Sequence, residues 1–224
     1  MAIDVPDTIE DRTAEKYGYG QDLQVRLYLK DTLRGLNEAL KMEAQWTGKR
    51  ILDVACGNSA PEDPTTVATR RFLNGLFIPR EVAEQREAIT QLALKLHQPW
   101  VCRLLAQCGA EVTGVDLSYP RYSPEPQVEP DWHFEQRDLT QSGSINPQSF
   151  PTRHYDFVLC NRFIGPDALA APELMTLRDH SPKSYEAVER SLLQQLTRVL
   201  KQEGTFLWNG KAYRPKGRKF LPLQ

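Results

Sequence analysis

No cysteine pair in the sequence has the CxxC spacing, and no HExxH occurs among its four scattered histidines. Nothing therefore marks a metal site or a catalytic thiol. Cys56, Cys102, Cys108 and Cys160 each lie in an apolar or strand-like context, which predicts reduced, mostly buried thiols in a cytoplasmic protein. No apolar run reaches the 18 or so residues that a membrane-spanning helix needs, and no signal-peptide pattern opens the chain. Neither sign of charge is in excess. With 28 Lys and Arg against 29 Asp and Glu the net charge is −1, so no overall field favours nucleic acid or an anionic membrane. The longest basic run, RPKGRK at 214–219, reads as a solvated tail, with contact to an acidic ligand or RNA as the alternative. There is no internal repeat and no long low-complexity segment. What is present is ordinary for a globular domain: 224 residues, 40% hydrophobic and 25% charged, enough for a full core.

Hydrophobic spacing predicts alternating helices and strands. Residues 1–12 are acidic and irregular and read as a loose arm. Leu23, Leu27, Leu33, Leu36, Leu40 and Met42 recur at near-helical spacing and predict one or two amphipathic helices over 21–46. RILDVAC (50–56) is a short apolar run of the kind a doubly covered strand requires. Prolines 61, 64 and 79 punctuate the next stretch of chain. TTVATRRFLNGLF (65–77) suits a short helix. REVAEQREAITQLALKLH (80–97) suits a better one, with Val82, Ile89, Leu92 and Leu96 on one face. A helix over 99–109 has Pro99 in its first turn and Gly109 as its stop. Strands are expected in AEVTGVD (110–116), WHFEQRDL (132–139), YDFVLCNRF (155–163) and TFLWNG (205–210). Between the last two, a helix over 184–204 carries Leu192, Leu196, Val199 and Leu200 inward and ends at Gly204. The alternation predicts an α/β fold around a parallel sheet.

Asp53, Asp116 and Asp138 fall at or near the ends of successive strands. In an open α/β sheet, ligands bind beyond the carboxyl ends of the strands. The turn Ala55, Cys56, Gly57, Asn58 lets a ligand approach the backbone, since glycine has no Cβ. A carboxylate closing the second strand can accept both hydroxyl hydrogens of a ribose. Asp138 can accept from an exocyclic amine, and Leu139 offers a backbone N–H and an apolar edge. Together these predict a nucleoside site.

Taken in order, these segments resemble the class I S-adenosylmethionine-dependent methyltransferase family. Asp53-Val54-Ala55-Cys56-Gly57-Asn58-Ser59 stands where the family has an acid and a glycine-rich loop. GAEVTGVDLS (109–118) is similar to its second strand with the ribose-binding acid, RDLT (137–140) to its adenine-side motif, and HYDFVLCNRFI (154–164) to its fourth strand. LTRVLKQEGTFLW (196–208) looks like the helix and strand completing its five-stranded core. The resemblance implies a Rossmann-like, mostly parallel sheet with helices on both faces, with S-adenosyl-L-methionine as cofactor. It implies cofactor contacts from Asp53, Ala55, Gly57, Asn58, Asp116, Leu117, Asp138, Leu139 and Asn161, with Asp53 toward the amino group of the methionine moiety. Tyr17, Tyr19 and Arg162 are candidates for the side of a small-molecule acceptor. No catalytic residue is assigned, because displacement at a sulfonium needs positioning more than a general base.

Two departures stand out. Joining Asn58 to Pro99 restores the family's order, so residues 59–98 read as a helical insertion of 40 residues, a candidate lid, partner surface or obstruction. The chain also ends soon after the fifth strand, which implies a reduced C-terminal part of the sheet. The expected organisation is one domain over 1–224, with an N-terminal helical segment over 1–47. Both departures keep open an alternative, a catalytically inactive binding or regulatory protein on the same fold. A nicotinamide-binding domain suits the acid after the second strand, but lacks GxGxxG and leaves Asp138 unexplained.

Overall fold

The computed structural model describes residues 8–41, 45–57, 78–96, 98–116, 131–141, 143–160, 178–216 and 219–223. In chain order the elements are α1 (Ile9–Lys16), α2 (Leu23–Leu40), β1 (Arg50–Val54), α3 (Arg80–Leu96), α4 (Trp100–Gln107), β2 (Glu111–Asp116), β3 (Trp132–Gln136), β4 (Tyr155–Cys160), α5 (Pro182–Val199), β5 (Leu200–Trp208), β6 (Lys211–Lys216) and β7 (Lys219–Pro222).

The strands form one seven-stranded sheet in the order β3-β2-β1-β4-β5-β6-β7. Strands β1 to β5 pair in parallel, and β6 and β7 add antiparallel at one edge. The chain moves outward from β1 through β2 to β3, then returns to place β4 on the other side of β1. The order therefore reverses between β1 and β4, where a crevice opens at the strand ends of such sheets.

Alternation along the central strands divides the core into two layers. Leu52, Val54, Val158, Cys160 and Phe206 pack with Tyr185, Leu192, Leu196 and Val199 of α5. Ile51, Phe157, Leu159 and Leu207 face the other way, with Leu36 of α2 and Cys102 and Leu105 of α4. A strand covered on both faces needs apolar residues at successive positions. The near-continuous runs RILDV and YDFVLC meet that need. Asp53 lies on the Ile51 side, facing α4.

Several expectations change. The arm expected over 1–12 gives way from Ile9 to α1, whose N-cap Thr8 accepts from Asp11 N. Leu23 and Leu27 of α2 are exposed, and the buried face is Val25, Leu29 and Leu36. In α3 the helix is as expected but turned: Val82 and Ile89 are 39% and 67% exposed, while Ala83 and Glu87 are buried. Gln91 Nε2 donates to Glu87 Oε1 at 2.9 Å, and Lys95 Nζ donates to Asp22 Oδ2 at 2.6 Å. The short helix expected over 65–77 lies outside the described residues.

The helix expected over 184–204 stops at Val199, and Leu200–Gly204 belongs to β5. Pairing shifts there: Tyr155 faces Leu200 and Phe157 faces Thr205, so the strand bulges. Gly204 lies inside the bulge, where a Cβ would come within 2.7 Å of Leu200 Cδ1 and 3.0 Å of the Asp156 carbonyl. At the C-terminal end, β6 and β7 extend the sheet beyond β5, and no helix lies between β5 and β6. Asn209 and Gly210, at φ 47° and 75°, turn the chain directly from β5 into β6, the two-residue turn that matches strand twist.

Candidate functional site

At the carboxyl end of β1 the chain leaves the strand sharply. Ala55 takes φ +61° and Gly57 φ +95°, backbone in the left-handed region that only glycine occupies without cost. Both amides directly after the strand bind one carbonyl of β2: Ala55 N to Val115 O at 2.8 Å and Cys56 N to the same oxygen at 3.3 Å. Gly57 N then donates to Asp116 Oδ2 at 2.9 Å. The turn after β1 is thus tied to the end of β2. Arg137 N donates to Asp116 O at 2.9 Å, bringing the end of β3 alongside.

Asp53 is 4% exposed, below this turn. It is paired in register with Gly114 of β2 and Leu159 of β4. The Cys102 thiol of α4 donates to its Oδ2 at 3.4 Å. Burial pushes the Asp53 carboxyl up to about 7, with the Cys102 hydrogen bond opposing and the negative Asp116 adding to the rise. Burial likewise raises the Cys56 thiol to about 11 and the Cys102 thiol well above its usual range. Both therefore remain protonated donors near neutral pH.

Asp138 lies in the turn after β3. Its Oδ1 accepts from Thr140 N and Thr140 Oγ1 at 3.0 and 2.6 Å, and its Oδ2 accepts from Gln141 Nε2 at 2.8 Å. These local bonds, the Thr140 hydroxyl foremost, hold its carboxyl below the usual range. Leu139 is buried in the α5-side core.

Tyr17 and Tyr19 pack edge-on against Trp100, the first residue of α4, at centroid distances of 6.2 and 5.2 Å. Arg103 stacks over Tyr17 at 4.2 Å and donates to Gln98 Oε1, and Gln98 Nε2 donates to the Tyr19 hydroxyl. Tyr19 also lines an open groove of about 920 Å³ at the α1–α2 corner, with Asp11, Glu15, Asp22 and Arg26. None of the strand-end acids borders that groove. Trp100 and Trp132 are buried packing residues.

The structure ties the turn of Ala55 and Gly57 to Val115 and Asp116 of β2 by hydrogen bonds, sets Asp53 beneath it against Cys102, and places Asp138 after the adjoining strand. Asn58, Leu117, Asn161 and Arg162 lie outside the described residues. Sequence reading overlooked the roles of Cys102 and Gly114. The available signal was the pair of thiols Cys56, in the turn, and Cys102, on a segment 46 residues further along the chain. All four cysteines are free, three of them buried.

Chemically, the rim combines left-handed backbone, a buried acid and a second carboxylate close enough to raise its pKa. Such a site attracts a cation and accepts hydroxyl hydrogens.

No family model and no curated protein matches the sequence. Among solved structures the chain is similar to the TehB-like SAM-dependent methyltransferase from Corynebacterium glutamicum ATCC 13032 Kitasato. The TM-score is 0.37 at 13% identity, covering 93% of this chain and 77% of that one. It is also similar to the PH0226 protein from Pyrococcus horikoshii OT3, with a TM-score of 0.38 at 18% identity, covering 85% of this chain and 56% of that one.

Proposed function

We propose that this α/β chain is an S-adenosyl-L-methionine-dependent methyltransferase acting on a small-molecule acceptor. The observation that supports this most is the bond from Gly57 N–H to the Asp116 carboxylate at 2.9 Å, which joins the turn after β1 to the acid ending β2, beside the β1–β4 switch point of the sheet. The donor set suits the cofactor. A carboxylate is an acceptor only, so Asp116 matches ribose hydroxyls. Asp53, buried and raised toward neutrality by its surroundings and by Asp116, is eased by an incoming ammonium group. A carboxylate has about four lone-pair sites, and the described donors take three at Asp138, leaving one for an exocyclic amine.

When bound, the cofactor supplies a methyl group already activated on a sulfonium. The chain's part is to orient. Gly57 and Asp116 hold the turn against β2, the left-handed backbone keeps side chains out of the ligand's path, and α4 closes the floor beneath Asp53. Oriented reactants gain ~7–11 kcal/mol over free encounter. In this reading the insertion 59–98 serves as a lid whose described helix, α3, is anchored to α2 through Lys95 and Asp22. Asn58, Leu117, Leu139 and Asn161 complete the cofactor contacts, and Tyr17, Tyr19 and Arg162 face the acceptor. The protein acts in the cytoplasm. No helix among the described residues is long and apolar enough to cross a membrane.

Calorimetric titration with S-adenosylhomocysteine tests the proposal. The chain binds it, and Asp116→Ala weakens binding at least tenfold, about 1.4 kcal/mol. Unchanged affinity in that variant, or no heat and no thermal shift with the parent chain, overturns it. Binding with no methyl transfer across a panel of small nucleophiles leaves a binding protein on the same fold.

A further inference from the structure

Asp53 is a buried carboxylate among groups that do not neutralise it. The titratable groups facing it are Cys102 on α4, Cys56 in the turn and Asp116 on β2; its β4 partner is Leu159. Among the described residues, the side chain that donates to it is Cys102, itself 0% exposed, through Sγ to Oδ2 at 3.4 Å. That thiol is wedged in place. A Cβ on Gly114 would lie 2.8 Å from Cys102 Sγ, 2.9 Å from Cys56 Sγ and 2.7 Å from Trp132 Cζ3. The absent side chain of Gly114 is therefore the space that the two sulfurs and the indole share. Cys102 and Cys56, the latter part of the turn, also interact through their thiols.

We infer that Cys102 is a positioning residue of the candidate site, its thiol holding the Asp53 carboxylate in the orientation that meets a cationic ligand at the β1 turn. This rests on the proposed function only for the identity of the ligand. The sulfur does no covalent chemistry. It provides a hydrogen bond to the charged form of Asp53, which is 4% exposed and so little helped by solvent. A hydrogen bond to the ionised form lowers a carboxyl pKa, so the thiol keeps Asp53 available as an anion at a lower pH than burial alone would allow. A residue that only fills space would leave that titration where it is.

The test is carbon-13 NMR titration of the Asp53 carboxyl in the ligand-free full chain, run on the parent, Cys102→Ala and Cys102→Ser. Removing the donor raises the Asp53 midpoint by about half a unit or more. Serine, a stronger donor of similar size, returns it to the parent value or below. Coincident midpoints in all three overturn the inference. Should Cys102→Ala fail to fold, the serine variant decides alone: a midpoint above the parent's overturns it.

The second readout is S-adenosylhomocysteine affinity against pH. At pH 6 Cys102→Ala binds about threefold more weakly, the half-unit shift expressed as affinity. The gap closes by pH 9, where Asp53 is ionised in both. A gap constant with pH overturns the positioning role. If the parent chain binds no S-adenosylhomocysteine while the NMR midpoints move as described, the cofactor assignment fails and the Cys102–Asp53 coupling stands.

Discussion

Gly114 shows how far a single atom reaches in this structure. Alanine there would need room already taken by two sulfurs and the edge of Trp132, all under 3.0 Å away. None of these is the free end of a flexible chain: Cys102 and Cys56 are buried, and the Trp132 ring packs edge-on against Phe134. Overpacking of this kind costs ~1–3 kcal/mol. Gly114→Ala should lower unfolding free energy by that amount in urea, and should weaken S-adenosylhomocysteine binding because Cys56 carries the turn with it. Stability within about 0.5 kcal/mol of the parent, the usual range for a neutral surface change, would show that the pocket yields easily.

At the scale of elements, the junction of α2 and α3 depends on Asp22. Its Oδ1 caps α2 by accepting from Gln24 N and Val25 N at 3.0 and 3.1 Å, and its Oδ2 binds Lys95 of α3 at 2.6 Å. The two roles separate by substitution. Asp22→Ser keeps a cap and drops the ion pair; Asp22→Ala drops both. Loss of an N-cap costs about 1 kcal/mol, and a pair this accessible contributes at most about 1 kcal/mol. Serine should therefore leave global stability nearly unchanged while hydrogen exchange quickens at the C-terminal turn of α3. Alanine should cost about 1 kcal/mol more than serine in chemical unfolding. Equal stabilities for the two variants would show that the cap contributes nothing. The remaining elements show why facing is harder to read than type. The α3 periodicity correctly marks a helix, but its buried face carries Ala83 and Glu87 while Val82 and Ile89 are exposed.

Over the whole molecule, stability is limited from both ends of the pH scale. Asp11 is held below the usual carboxylate range by Arg26. Burial pushes Asp22 and Asp156 upward, yet both stay low, Asp22 through Lys95 and the α2 amides and Asp156 through Lys201 and Arg50 N. A depressed carboxyl stabilises above its unfolded pKa, and that contribution disappears as pH falls through the folded one. Asp53 has the opposite sign. Its folded pKa is raised to about 7 from 3.8, so the folded chain binds more protons than the unfolded one between those values. Its share of stability is complete below about pH 4 and is lost as pH rises through about 7, at up to about 1.4 kcal/mol per unit. Asp53→Asn should then be more stable than the parent at pH 8, with the advantage shrinking toward pH 5. Urea unfolding at both pH values measures this, and an advantage equal at the two would mean that Asp53 does not titrate in that window.

By itself the sequence determined the identity and order of the first five strands and the three acids at or near their ends. These are local matters: apolar runs long enough for a doubly covered strand, and turn residues where each run stops. The basic stretch at 214–219, by contrast, reads as a solvated tail but contributes to β6 and β7. Only the tertiary structure decided what those acids meet. It placed a thiol from α4 under Asp53, committed most of the Asp138 carboxylate to Thr140 and Gln141, and bound Asp116 to the turn after β1. It also drew Leu200–Gly204 out of the helix expected over 184–204 into β5 and extended the sheet with the antiparallel strands β6 and β7. The reason is physical. Periodicity reports which face of an element is apolar, whereas partner, register and charge environment depend on segments distant in the chain, and those come together only when the sheet closes its layers.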